Sequence, residues 1–239
     1  MRLGIISALA EEQQGLIEAL ESPSRHFYGM REYTAGKLWE IDAVCVLSRI
    51  GKVAAAMTAA TLVEKFGVTH IVFTGVAGSG DKNVNVGDIV VADSLLQHDF
   101  DASPLFPRHE IPLTGLSRFA TDVALTERLA GAARQITRVH RGLIASGDQF
   151  IGKLTQIQAL KAELPDLLAV EMEGAAVAQV CFELGIPFAV IRTISDSAND
   201  DAAVDFMHFI KTVASRYAFD VIYNFCKSFR HSGVGRNPS

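Results

Sequence analysis

The chain has 239 residues, 49% hydrophobic and 21% charged, with a net charge of −5. That is globular composition, long enough for one α/β domain with a sizeable core, and no basic stripe breaks the acidic balance, which argues against nucleic acid as the main partner. No apolar run approaches the roughly 20 residues that cross a bilayer.

In chain order, "RLGIISA" is a short apolar run that predicts a strand, and "EEQQGLIEAL" follows with Leu16, Ile17 and Leu20 at helical spacing. The opening "MRLGIISALAEEQ" meets acids too soon for a signal-peptide core. "GKLWEIDAVCVLSR" reads as a hairpin turning near Asp42, and "GKVAAAMTAATLVEKFG" as a helix closed by Gly67. "THIVFTG" and "GDIVVAD" are further strands. "ATDVALTERLAGAARQI" is a helix with Thr121 or Asp122 as N-cap.

"RGLIASG" is a strand, "KLTQIQALKAEL" a helix ended by Pro165, and "LLAVEM" a strand. "EGAAVAQVCFELG" is a helix stopped by Gly185 and Pro187, "FAVIRTISD" a strand, and residues 205–229 one long amphipathic helix. Strands alternating with helices, several of them continuously apolar, imply an α/β domain whose sheet is covered on both faces. Residues 97–115, "QHDFDASPLFPRHEIPLTG", are long, Pro-rich and irregular, as functional or interface loops are. A single domain over 1–229 is expected, with residues 230–239, "RHSGVGRNPS", as a disordered tail.

Cys45, Cys181 and Cys226 lie in apolar surroundings without CxxC spacing, the pattern of reduced thiols in a cytoplasmic protein. No histidine pair has HxxxH or HxH spacing, so no metal site is expected, and His98 beside Asp99 and Asp101 reads as loop scaffolding. Ser146 and Ser195 lack a GxSxG elbow, which argues against a serine hydrolase. Gly75, Gly78 and Gly80 in "TGVAGSG" are not in GxGxxG order; they read as glycines that let a strand turn sharply and bring backbone close to a ligand.

The acids are the informative residues. Ligands of open α/β sheets sit at the carboxyl ends of strands, and three predicted strands deliver an acid there: Glu12 after the first, Glu173 after "LLAVEM" and Asp196 at the end of "FAVIRTIS". Each alone could serve a helix N-terminus or a turn. Their coincidence with the Gly-rich stretch points to a site. Glu171, two residues before Glu173, reads as structural, although side-chain alternation alone does not separate the two.

The pieces "GIISALAEE", "SRIGKVAAA", "TGVAGSG", "VGDIVVAD", "HDFDASPLF", "RGLIASGDQFI", "AVEMEGAAVAQVC" and "IRTISDSAND", in this order, resemble the 5′-methylthioadenosine/S-adenosylhomocysteine nucleosidases of the nucleoside phosphorylase superfamily. The resemblance implies a three-layer sandwich with a mixed, curved central sheet flanked by helices. It implies hydrolysis of an N-glycosidic bond, adenine nucleosides as the small-molecule partners, no metal or organic cofactor, and no membrane or nucleic-acid partner.

It also implies roles. Glu12 would activate water, Asp196 would protonate the leaving adenine, and Glu173 would hold the ribose hydroxyls beside the Met172 backbone. Phe150 would stack on adenine and the Ile151 backbone read its edge. Leu9, Ile50 and Phe206 would line the alkylthio pocket, and Arg192 would help hold the water. A homodimer is implied, with residues 99–112 closing the partner's site through Leu105 or Phe106. Two departures bear on substrate choice: Val76 stands where many members carry serine, and Arg49 where glycine is common. The rival readings are a phosphorylase, a hydrolase of another adenine nucleoside such as aminodeoxyfutalosine or 5′-deoxyadenosine, and a non-catalytic nucleoside binder.

Overall fold

In a computed structural model the described residues are 1–198, 202–209 and 215–230. Ten strands form one mixed sheet. They are β1 (Arg2–Ser7), β2 (Glu21–Tyr28), β3 (Arg31–Leu38), β4 (Ile41–Leu47), β5 (His70–Ser79), β6 (Ile89–Gln97), β7 (Phe119–Ala120), β8 (Val139–Ser146), β9 (Leu167–Glu171) and β10 (Phe188–Asp196). The helices are α1 (Ala10–Glu18), α2 (Lys52–Phe66), α3 (Val123–Ala133), α4 (Leu154–Glu163), α5 (Gly174–Leu184), α6 (Ala202–Phe209) and α7 (Ser215–Arg230).

The sheet order is β10-β6-β8-β9-β5-β1-β4-β3-β2, and β10 also pairs with β5. The curvature therefore runs to closure. Strands β5, β9, β8, β6 and β10 form a ring, from which β1, β4, β3 and β2 extend as an open wing. Side-chain alternation divides the core into layers. In β1, Leu3 and Ile5 face one core with Leu16 of α1, Leu129 of α3 and Phe225 of α7, while Ile6 faces the other with Leu62 of α2 and Val177 of α5. Burying each such side chain contributes about 1.5–3 kcal/mol, so the helices are held to the two faces of the sheet, the expected three layers.

Several sequence expectations are corrected. The hairpin turns at Trp39–Glu40, not near Asp42: Leu38 pairs with Ile41, and the two turn residues have φ of 48° and 76°. These are left-handed values normally supplied by Gly or Asn. The exposed edge strand β2 was not anticipated. "TGVAGSG" does not turn; it continues β5 in extended conformation as far as Ser79. In place of one helix over 205–229 there are α6 and α7, with residues 210–214 outside the described residues. Of the expected tail, Arg230 closes α7 and residues 231–239 lie outside the described residues. Asp122 is the N-cap of α3, its carboxylate accepting from Leu125 N at 2.8 Å. No described helix is long and apolar enough to cross a membrane.

Candidate active site

A cavity of about 340 Å³ opens at the carboxyl ends of β1, β5, β9 and β10. Its wall contains Glu12, Glu173 and Asp196, buried at 2%, 6% and 2% exposure. Carboxylates in such places cost several kcal/mol unless bonded, so their partners define what the site can do.

Glu12 sits in the first turn of α1 and folds back over its N-terminus. Its Oε2 accepts from Ala8 N and Leu9 N, both at 2.9 Å, and Oε1 accepts from Val76 N on β5 at 3.1 Å. This is the carboxylate half of a capping box; the N-cap, Leu9, has no acceptor side chain with which to complete it. Burial pushes the Glu12 pKa above the ordinary carboxylate range, while the Leu9 amide, the Arg192 charge and the Ala8 and Val76 amides pull it down.

Glu173 precedes α5, and its Oε1 accepts from Gly51 N, at the head of α2, at 2.8 Å. Burial raises its pKa to about 8, aided by the charges of Glu171 and Glu12 and opposed by the Gly51 amide and Arg192. Asp196 ends β10; Oδ2 accepts from Ser195 Oγ at 2.8 Å and Oδ1 from Ala198 N at 2.9 Å. Glu12 thus closes a helix end and Asp196 a turn, as each could have done alone, and both also face the cavity. The β5 glycines allow this approach. A Cβ at Gly78 would lie 2.9 Å from Asp196 Oδ1, and one at Gly75 3.2 Å from Glu12 Oε1.

Glu171 differs from Glu173. It ends β9 and accepts from Gly174 N (2.8 Å to Oε2), Glu173 N (3.2 Å) and Ser146 Oγ. Arg192 Nη2 donates to its Oε2 at 2.7 Å. Ser146 Oγ in turn accepts from Ala175 N at 2.7 Å. Glu171 and Ser146 together cap the N-terminus of α5, the structural role read for Glu171. Arg192 Nη1 bonds the carbonyls of Phe73 and Ile191, and its guanidinium lies 4.0 Å from the Phe73 ring centroid. One Nη2 hydrogen has no protein acceptor among the described residues.

Most of the remaining wall is apolar. Leu9, Val76 and Phe206 pack with Phe209, Ile50 stands at the rim, and Phe150 meets Phe206 edge to face at 5.8 Å. Ile151 and Met172 complete the expected set. Leu105 and Phe106 do not line the cavity of their own chain, and Leu105 is 84% exposed. Sequence reasoning missed the Gly51 and Val76 amides, Gln149 on the wall and the Ser195 hydroxyl. Main-chain donors leave no side-chain signature; Ser195 was legible only as the neighbour of Asp196.

His98, read as scaffolding, is buried beside Asp99, which accepts from Lys52 Nζ at 2.6 Å and Asp148 N at 2.8 Å.

Comparison with known proteins identifies the fold and its relatives. The family model described as "Phosphorylase superfamily" matches residues 2–224. A 5′-methylthioadenosine/S-adenosylhomocysteine nucleosidase of Shewanella denitrificans is 37% identical over 224 residues, 93% of this chain and 97% of that protein. The nucleosidase of the same name from Neisseria meningitidis, solved with methylthio-immucillin-A, superposes with TM-score 0.91 at 34% identity, covering 95% of this chain and 99% of that one. A futalosine hydrolase of Helicobacter pylori superposes with TM-score 0.89 at 32% identity, covering 95% and 98%. The chain belongs to the phosphorylase superfamily, among the 5′-methylthioadenosine/S-adenosylhomocysteine nucleosidases.

Proposed function

We propose that this protein hydrolyses the N-glycosidic bond of 5′-methylthioadenosine and S-adenosylhomocysteine, releasing adenine and the 5-thio-substituted ribose. The observation that carries the reading is the convergence of three buried acids with different partners, Glu12, Glu173 and Asp196, on one cavity whose wall also holds Arg192 and Ser195. Cleavage of such a bond passes through an oxocarbenium-like state. One group must take a proton from water and another must give one to the leaving base, and environments that push carboxyl pKa values apart assign those tasks.

Glu12 is the base. Three main-chain N–H groups fix its orientation and favour its ionised form, while burial, the larger effect, raises its pKa and so strengthens its basicity. Arg192, with its spare Nη2 hydrogen, helps hold the water. Asp196 is the acid, giving its proton to N7 so that adenine departs neutral as the water oxygen bonds the anomeric carbon. Ser195 suits both states of Asp196. Its hydroxyl can donate to the carboxylate or, turned toward Ala77 O at 3.2 Å, leave its oxygen to accept from the protonated acid. Glu173 holds the ribose hydroxyls through its carboxyl oxygens, which also face the sugar where positive charge develops. Phe150 stacks on adenine, the Ile151 and Met172 backbones flank the base and sugar, and Leu9, Ile50, Val76 and Phe206 surround the alkylthio group.

Phosphorolysis fits less well. A phosphate needs anion donors, whereas Val76 presents an alkyl side chain, the charge of Arg192 is already balanced by Glu171 and Glu12 would repel it. Residues 99–112 are read as closing the partner's cavity in a homodimer. The expected setting is cytoplasmic, in methionine salvage and nucleoside catabolism.

The test is adenine release from methylthioadenosine in phosphate-free buffer, repeated with phosphate added. Release without phosphate, yielding free methylthioribose, is the expected result, with Glu12→Gln and Asp196→Asn each losing at least about a hundredfold in kcat. Release only with phosphate makes the protein a phosphorylase. Strong preference for a futalosine-type nucleoside moves the substrate and leaves the chemistry.

A further inference from the structure

Two arginines outside the cavity hold the segment that carries the Gly51 donor to Glu173. Arg31 opens β3 beside the β2–β3 turn and is buried, yet among the described residues its guanidinium bonds only main-chain oxygens. Nη1 donates to Gly29 O at 2.7 Å, Nε and Nη2 to Ser48 O at 3.2 Å, and Nη2 to Ala54 O at 3.4 Å. Arg49 reaches back the other way, Nη2 donating to Met30 O at 2.7 Å. The hairpin tip and the loop between β4 and α2 therefore grip one another reciprocally.

Both sides of the grip are held in unusual backbone. Met30 and Arg49 have φ of 61° and 68°, and Gly51 has φ of 97°. Non-glycine residues persist in the left-handed region where their surroundings over-determine them, and burying a guanidinium costs free energy that its hydrogen bonds must offset. What this segment carries is functional geometry. Ile50 stands on the cavity rim and Gly51 N is the protein donor to Glu173 Oε1, while Lys52 N donates to Asp148 Oδ1 at 2.8 Å.

We infer that Arg31 and Arg49 are positioning residues: a reciprocal latch that sets the Gly51 amide and, through it, the Glu173 carboxylate for the ribose, without either arginine touching substrate. The ribose part rests on the reading of Glu173 proposed above. Loosening the latch lets the Gly51 amide drift and costs the nucleoside a preorganised contact, whereas free adenine has no sugar to lose.

The experiment compares Arg49→Gly, Arg31→Met and Arg31→Lys in the full chain. Arg49→Gly removes the side chain at a φ that glycine adopts freely, so its melting temperature should hold and misfolding is not at issue. Amide hydrogen exchange at Ile50–Lys52 should quicken in Arg49→Gly and Arg31→Met, with Arg31→Lys intermediate. In a Glu12→Gln background, which spares the nucleoside, calorimetry should find methylthioadenosine bound about tenfold more weakly and adenine bound as before. Unchanged exchange at Gly51 overturns the latch. Equal weakening of adenine and nucleoside overturns its specific action on Glu173 and leaves only a structural role. Failure of the unsubstituted protein to bind the nucleoside overturns the nucleosidase reading instead, while the exchange data still decide the latch.

Discussion

Glu173 ties the chemistry of one side chain to the stability of the whole fold. Its folded pKa of about 8 lies above its ordinary 4.5 because burial and the charges of Glu171 and Glu12 disfavour the ionised form. Between these values the folded protein keeps a proton that the unfolded chain has released. Stability from this group is therefore complete below about pH 4.5, falls as pH rises through the window and levels off above about 8. The raised pKa of Glu12 acts in the same sense. Glu173→Gln, neutral throughout, should flatten the decline in melting temperature measured from pH 5 to 9. An unchanged decline would mean that other groups titrate. At this scale the sequence was most legible, since an acid after a strand is readable from order alone. The main-chain donors that orient each acid were not, because any residue supplies an N–H.

The junction of β9 and α5 shows what elements add to residues. Strand alternation cannot distinguish Glu171 from Glu173, which lie two apart and would share a face. The strand ends at Glu171, however, and the chain turns through Met172, so at the same cavity wall Glu171 caps the helix while Glu173 bonds the Gly51 amide across from it. Glu171→Gln keeps the shape while removing the charge that pairs Arg192, leaving a buried guanidinium without its carboxylate. A loss of about 3–5 kcal/mol is expected, read from the urea midpoint; a loss below about 1 kcal/mol would mean that the Phe73 and Ile191 carbonyls suffice for Arg192. The misread elements fail for physical reasons. β2 is an exposed edge without apolar alternation and contains Pro23; the Trp39–Glu40 turn lacks glycine; and "TGVAGSG" looks like a loop because its small residues make room for acids from α1 and β10.

At the scale of the molecule, alternating elements revealed an α/β domain but not its ring of strands, because a parallel crossover does not specify which neighbour its strand will join. The same scale bears on residues 99–112. One end of the segment is fixed by Lys52 and the Asp148 amide on Asp99, the other by Glu163, which pairs with Arg108 and His109 at 2.8 and 3.0 Å. Between these anchors Leu105 stands clear of its own chain at 84% exposure. A large apolar side chain held outward on a tethered loop has no role in its own cavity, and the apolar wall of Leu9, Val76 and Phe206 is the kind of surface it would cover in a neighbouring subunit. Sedimentation should therefore find a dimer. Leu105→Asp should raise KM for methylthioadenosine by about tenfold or more, since a charge brought against an apolar group loses at least 1–2 kcal/mol of binding. Adenine affinity should stay unchanged, because in the proposed binding mode the base stacks on Phe150 rather than against the alkylthio group. A fully active monomer, or equal weakening for adenine, would show that each chain closes its own site.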